Sequence, residues 1–191
     1  MQTDAKRMLA YSSISHAGYM LLALLAMSGS SDNAILFYTV AYSIATIVGF
    51  MILYLVEKTT GSTAIAAFNG LGKSNPFLAV AMTISLLSMA GIPPLSGFMA
   101  KYYIFANAIS EGHLPLVLFA ISMSLVGVYY YFKIIIAMFF SENITPSVMA
   151  QGDTEGSTTI ESDLLQNVLI IVGCAAMLLL GLLPSLVYNV L

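Results

Sequence analysis

The sequence predicts an all-α polytopic membrane helix bundle of about five transmembrane helices, one of them broken near its middle. Of its 191 residues 59% are hydrophobic and only 8% charged, too apolar for an ordinary soluble domain. Stretches of about twenty residues or more run with few charges, the length needed to cross a hydrocarbon core of about 30 Å. Backbone groups in lipid must pair within their own segment, so these stretches are helices.

The spans fall at about residues 8–27, 34–56, 76–110, 114–140 and 165–190. Lys6 and Arg7 precede the first, but its apolar run is long and no Ala-x-Ala cleavage site follows, so it reads as a retained span rather than a secretory signal. The polar turn Ser28 to Asn33 makes the first two spans antiparallel neighbours. Residues 61–75, flanked by Lys58 and Lys73, are moderately apolar and fit a segment lying along the membrane surface. Residues 141–163 carry Glu142, Asp153, Glu155, Glu161 and Asp163 with Gly and Ser, an acidic and mobile loop. The segment 164–191 supplies a C-terminal transmembrane helix.

Basic residues near span ends set orientation. With Lys6 and Arg7 cytoplasmic, alternation puts Lys58, Lys73, the Lys133 end of the fourth span and the acidic loop on that same side. Asp32, Glu111, His113 and the C-terminus then lie outside. The single Cys174 excludes a disulfide within the chain. Nucleotide fingerprints, Cys or His pairs at metal spacing and a serine elbow are absent, and nothing points to nucleic acid.

The segment 76–110 is too long for one perpendicular span, roughly 50 Å as a continuous helix against about 30 Å of hydrocarbon. The break is marked at residues 91–97, Gly91-Ile92-Pro93-Pro94-Leu95-Ser96-Gly97, where Pro93 and Pro94 remove two amide donors and Gly91 and Gly97 relax the backbone. Freed carbonyls at membrane depth belong next to protein or a water-filled cavity, and broken helices of this kind often mark ion or substrate paths.

Ten residues inward from Glu111 lies Lys101, roughly 15 Å deep and close to the bilayer midplane. The predicted spans offer it no carboxylate, which suits a lysine that exchanges a proton. The plainer readings are a lysine snorkelling to an interface or paired with an acid of another chain. On the first span Ser12, Ser15, His16 and Tyr19 share a face at i, i+3, i+4 and i+7. That stripe reads either as a water-holding proton path with His16 as its titratable member, or as packing glue between helices. Thr39, Tyr42, Ser43, Thr46 and Gly49 on the second span read as packing. On the fourth, Ser122, Val126, Tyr129 and Lys133 align, Tyr129-Tyr130-Tyr131 fits an aromatic belt, and Lys133 fits a snorkelling lysine.

Two long stretches carry a family resemblance. One is Gln2-Thr3-Asp4-Ala5-Lys6-Arg7-Met8-Leu9-Ala10-Tyr11-Ser12-Ser13-Ile14-Ser15-His16-Ala17-Gly18-Tyr19, the other Ser88-Met89-Ala90-Gly91-Ile92-Pro93-Pro94-Leu95-Ser96-Gly97-Phe98-Met99-Ala100-Lys101-Tyr102-Tyr103. Together with Tyr129 to Lys133 they resemble the antiporter-like, proton-translocating membrane subunits of respiratory complex I. Phe37 to Ser43 lacks the His-x-x-x-Lys pattern of the larger L- and M-type subunits and Mrp-type antiporters, a departure that resembles the N type.

The resemblance implies a multi-pass protein of the bacterial cytoplasmic membrane. Residues 1–140 would form a partial second repeat of the antiporter-like domain, and the last span the terminal helix. It implies that Lys101 is a proton-relay residue and that Lys6 is a possible second one; His16 stays a candidate from its place on the polar stripe of the first span. NADH, flavin, iron-sulfur clusters and quinone would be handled by partner subunits, with no cofactor on this chain. Its partners would be the other membrane subunits, the lipid bilayer and protons. The family's other charged relay residues have no counterpart here, so the resemblance implies that this stretch alone does not pump. The rival readings are a cation/proton antiporter or membrane-bound hydrogenase subunit of the same superfamily, and a purely structural membrane scaffold.

Overall fold

The computed structural model describes residues 2–26, 31–141, 160 and 162–185. Every helix or turn in that set is helical in kind, and the described residues form no strand beyond an isolated antiparallel bridge between Asp4 and Ala64. The helices are α1 Ala5–Ala26, α2 Ser31–Thr60, α3 Leu71–Ser74, α4 Pro76–Ala90, α5 Ser96–Ser110, α6 Leu114–Phe140 and α7 Leu164–Leu182, with a 3₁₀ turn at Ile65–Phe68. Four of them, α1, α2, α6 and α7, are long and apolar enough to cross a membrane. The predicted third span is two helices of 15 residues each, about 22 Å apiece and too short to cross singly. Four whole spans and one divided between α4 and α5 therefore make up the bundle.

Local chemistry explains the ends. Asp4 caps α1, its Oδ1 accepting from the Arg7 amide at 2.8 Å. Pro76 fits the first turn of α4, where an amide is unpaired in any case, and the Asn75 side chain accepts from the Leu78 amide at 3.3 Å. Asp163 and Gln166 form a reciprocal capping box that starts α7. That acid is thus a helix cap; the other acids of the predicted loop, Glu142, Asp153, Glu155 and Glu161, lie outside the described residues, as do Ser28 to Ser30 of the first turn and residues 186–191.

Helix α7 ends at Leu182, and the last residues of the predicted span, 186–190, lie outside the described residues. Pro184 lies just beyond Leu182, and a proline disfavours helical backbone in the residue before it. Within residues 61–75, Phe68 and Leu71 are fully or almost fully buried in the core. The Gly70 amide also donates to the Ala137 carbonyl of α6 at 3.3 Å.

Helix α2 is central and packs on α1, α4, α5 and α7. Its most apolar window is 44% buried, against 11% for α6 and 17% for α7, so those two present most of their surface outward. Phe119, Leu125 and Leu165 are all more than 60% exposed, tolerable only for helices whose surroundings are hydrocarbon. Close approach depends on glycines at two crossings. Gly49 of α2 lies against the Ser85 side chain of α4, and Gly181 of α7 against the Pro94 carbonyl within the break.

Candidate functional site

The site is built around the gap between α4 and α5. Gly91 closes α4 in the left-handed region, φ 83°, where its amide caps the Leu87 and Ser88 carbonyls. In a continuous helix the Ala90 carbonyl would accept from the amide four residues on, but that residue is Pro94 and has no N–H. The missing donor is supplied by a side chain: Lys101 Nζ donates to Ala90 O at 2.8 Å. The same nitrogen donates to Ser124 Oγ on α6 at 2.8 Å and stands 5.3 Å from the centroid of the Tyr19 ring on α1. Lys101 is only 8% exposed. Its contacts are all neutral dipoles and a π face, so it is neither snorkelling nor paired with a carboxylate among the described residues.

Two serines span the break. Ser88 Oγ and Ser96 Oγ are 3.3 Å apart, and the Gly97 amide donates to Ser88 Oγ at 3.3 Å. Both serines are buried. A Cβ at Gly97 would fall 1.8 Å from the Ser88 carbonyl oxygen, so glycine is what lets the two half-helices touch.

Beside the break a second cluster surrounds His16, which is 4% exposed. Its Nδ1 is 2.6 Å from the Tyr38 hydroxyl of α2 and its Nε2 is 3.2 Å from the Tyr131 hydroxyl of α6. Tyr131 is also bonded to Ser12, and the imidazole stacks on Tyr42 at 4.3 Å. A neutral imidazole has one donor and one acceptor, so one tyrosine gives a hydrogen bond and the other receives one. The array Ser12–Tyr131–His16–Tyr38 is therefore a continuous hydroxyl–imidazole–hydroxyl chain.

A cavity of about 550 Å³ joins the two clusters. Ser12, Ser15, His16 and Tyr19 line it from α1, Lys101 from α5, and Ser124, Gly127, Tyr130 and Tyr131 from α6, with Gln2 and Met8 toward the N-terminal end of α1. The polar stripe of the first span thus faces one hollow. It is large enough for on the order of ten waters.

The other candidates lie elsewhere or act differently. Lys6 does not line the cavity; its Nζ pairs with Glu57 at 3.1 Å on an exposed surface, an ion pair worth less than about 1 kcal/mol. On α6 the face toward the cavity is Met123, Ser124, Val126, Gly127, Tyr130 and Tyr131, which takes in Val126 of the predicted stripe but not Ser122, Tyr129 or Lys133. Tyr129 is 53% exposed whereas Tyr131 is 4%, so Tyr131 belongs to the interior and not to an aromatic belt. On α2, Gly49 packs on α4 as predicted, but Tyr42 stacks on His16. Sequence reasoning missed Tyr38, Ser88, Ser96 and Ser124; helical spacing gives them no distinct signal until the partner helices are placed.

A family model described as the transmembrane region of NADH:quinone oxidoreductase/Mrp antiporter proteins matches residues 1–127. The chain is 40% identical to the NADH-quinone oxidoreductase subunit N of Cytophaga hutchinsonii over 190 residues, covering 99% of this chain and 39% of that protein. To the subunit N of Flavobacterium johnsoniae it is likewise 40% identical, covering 38% of that protein. The chain thus spans about two-fifths of the length of these curated relatives. Among solved structures it superposes on a chain of respiratory complex I from Thermus thermophilus with bound aureothin, TM-score 0.76 and 32% identity, covering 98% of this chain and 40% of that one. It matches a chain of the Mrp complex from a Dietzia species with TM-score 0.82 at 23% identity, covering 98% of this chain and 41% of that one, a likeness of fold alone. The chain is a multi-pass membrane protein and belongs to the NADH:quinone oxidoreductase/Mrp antiporter transmembrane family.

Proposed function

We propose that this chain is part of an N-type, proton-translocating membrane subunit of NADH:quinone oxidoreductase, in which Lys101 takes up and passes on protons. The observation that carries the reading is the ammonium at the break, buried and held by neutral acceptors alone. A group with no carboxylate to trap its proton can release and regain it as its surroundings change. His16, with hydroxyls on both ring nitrogens and the cavity beside it, is a second place where a proton can be handed on. Lys6, in its surface pair with Glu57, has a lesser part at the cytoplasmic end of α1.

Electron transfer from NADH through flavin and iron-sulfur clusters to quinone belongs, in this reading, to partner subunits. The chain itself binds none of these groups and carries no redox step. It sits among other membrane subunits in the bacterial cytoplasmic membrane, and residues 1–140 form part of a repeat completed by the remainder of the full-length protein. Lys6 and Arg7 face the cytoplasm and the C-terminus lies outside. By itself the stretch moves no protons across the membrane.

The test is Lys101→Ala in the full-length subunit, assembled in its complex and placed in vesicles oxidising NADH. The expected result is fewer protons exported per NADH oxidised, with subunit assembly retained. Wild-type export would overturn the assignment.

A further inference from the structure

Lys101 has three kinds of neighbour, and they differ in what they can do for its two protonation states. The ammonium has three N–H donors and no acceptor; the neutral amine has two donors and a lone pair. The Ala90 carbonyl accepts only, at 2.8 Å. The Tyr19 ring, 5.3 Å away at its centroid, offers a π face to a cation and nothing to a lone pair. The Ser124 hydroxyl, at 2.8 Å, is different. It accepts from the ammonium and, by rotating about Cβ–Oγ, donates to the amine.

Ser124 also faces two ways. It lines the large cavity, while its other contact is the lysine. A proton leaving Nζ in that direction meets Oγ first.

We propose that Ser124 is the proton-transfer and positioning partner of Lys101, the hydroxyl through which this lysine exchanges its proton with water in the cavity. The inference rests on the assignment of Lys101 as a proton carrier. In the step, an Nζ–H bond breaks as Ser124 Oγ takes the proton, and the hydroxyl's own proton moves to a water oxygen. Serine ends neutral, the lysine becomes an amine and the water becomes hydronium, so atoms and charge balance. The O–H so formed already points at the amine lone pair and donates to it. The reverse sequence reloads the lysine.

The experiment compares Ser124→Thr with Ser124→Val in the full-length subunit within its complex. Threonine and valine have nearly the same shape, and only the first keeps a hydroxyl. The Thr variant is expected to export protons at close to the wild-type rate. The Val variant should be slower by roughly tenfold, the size of one lost hydrogen bond in a rate, at equal assembly. Equal export by the two variants overturns the role of the hydroxyl, whether both are fast or both slow. Lys101→Ala measured in parallel separates this inference from its parent. Lost export in Lys101→Ala together with fast export in Ser124→Val refutes only the serine, whereas normal export in Lys101→Ala refutes the lysine assignment itself.

Discussion

Replacing Gly181 by alanine tests whether the break is held from outside by α7. An added Cβ would stand 1.9 Å from the Pro94 carbonyl oxygen and 2.6 Å from the Leu95 carbonyl carbon. Ordinary contact begins near 3.4 Å, so helix or break must retreat by about 1.5 Å. The obstacle is backbone, which cannot turn aside as a side chain does. Overpacking of this sort costs about 1–3 kcal/mol, and a backbone obstacle puts Gly181→Ala near the upper figure. Gly173 on the same helix is the comparison. There the added Cβ meets Val48 Cγ2 at 2.4 Å, a methyl that can shift, although a β-branched residue in a helix has few rotamers to choose from. Gly173→Ala should therefore cost about 1 kcal/mol. Unfolding by sodium dodecyl sulfate in mixed micelles, followed by circular dichroism, measures both. A Gly181→Ala protein as stable as wild type, or more stable than Gly173→Ala, would show that α7 does not seat on the break.

Tyr38→Phe removes the hydroxyl 2.6 Å from His16 Nδ1 and leaves a buried ring nitrogen without that partner. It should destabilise by about 1–3 kcal/mol in the same titration, while Tyr129→Phe, at a residue 53% exposed, should change little. Asp4 gives a pH prediction. The Thr63 hydroxyl and then the Arg7 amide, both donating to its carboxylate, hold its pKa below the ordinary 3.8. A carboxyl depressed in the folded state contributes stability above the unfolded value and loses it as pH falls through the folded one. The stability gap between wild type and Asp4→Asn should accordingly be open at pH 6 and narrow below about pH 3.8. A gap independent of pH would count against the carboxylate.

Where the sequence spoke clearly, a physical rule left few alternatives. Paired prolines between glycines at residues 91–97 cannot be threaded by a helix, so the division into α4 and α5 was legible, as was the burial of Lys101 from its place behind that break. The stripe Ser12, Ser15, His16 and Tyr19 was legible as a face, because helical spacing is local. What the face meets was not. Whether His16 touches Tyr38, Tyr42 or Tyr131 depends on how α1, α2 and α6 pack, which no spacing within one helix encodes. Ser124 was invisible for the same reason, and Tyr131 was misread because three adjacent tyrosines give no sign of which turns inward. Likewise, Asp163 read as part of an acidic loop until its bond with Gln166 made it a cap. Pro184 was the signal for the stop of α7 at Leu182, overlooked because the surrounding residues remain apolar.

The bond between Lys101 and the Ala90 carbonyl alters what kind of joint the divided span contains. An ordinary helical turn is fastened by amides whose positions are fixed by the chain, so loosening one disturbs its neighbours. Here Pro94 has withdrawn the amide, and the fastening is a side chain with four rotatable carbons that reaches back from the next half-helix. Such a tether lets the two halves shift against each other without any peptide unit losing its place. It also means that the proton-bearing group and the mechanical link between the halves are one and the same nitrogen atom.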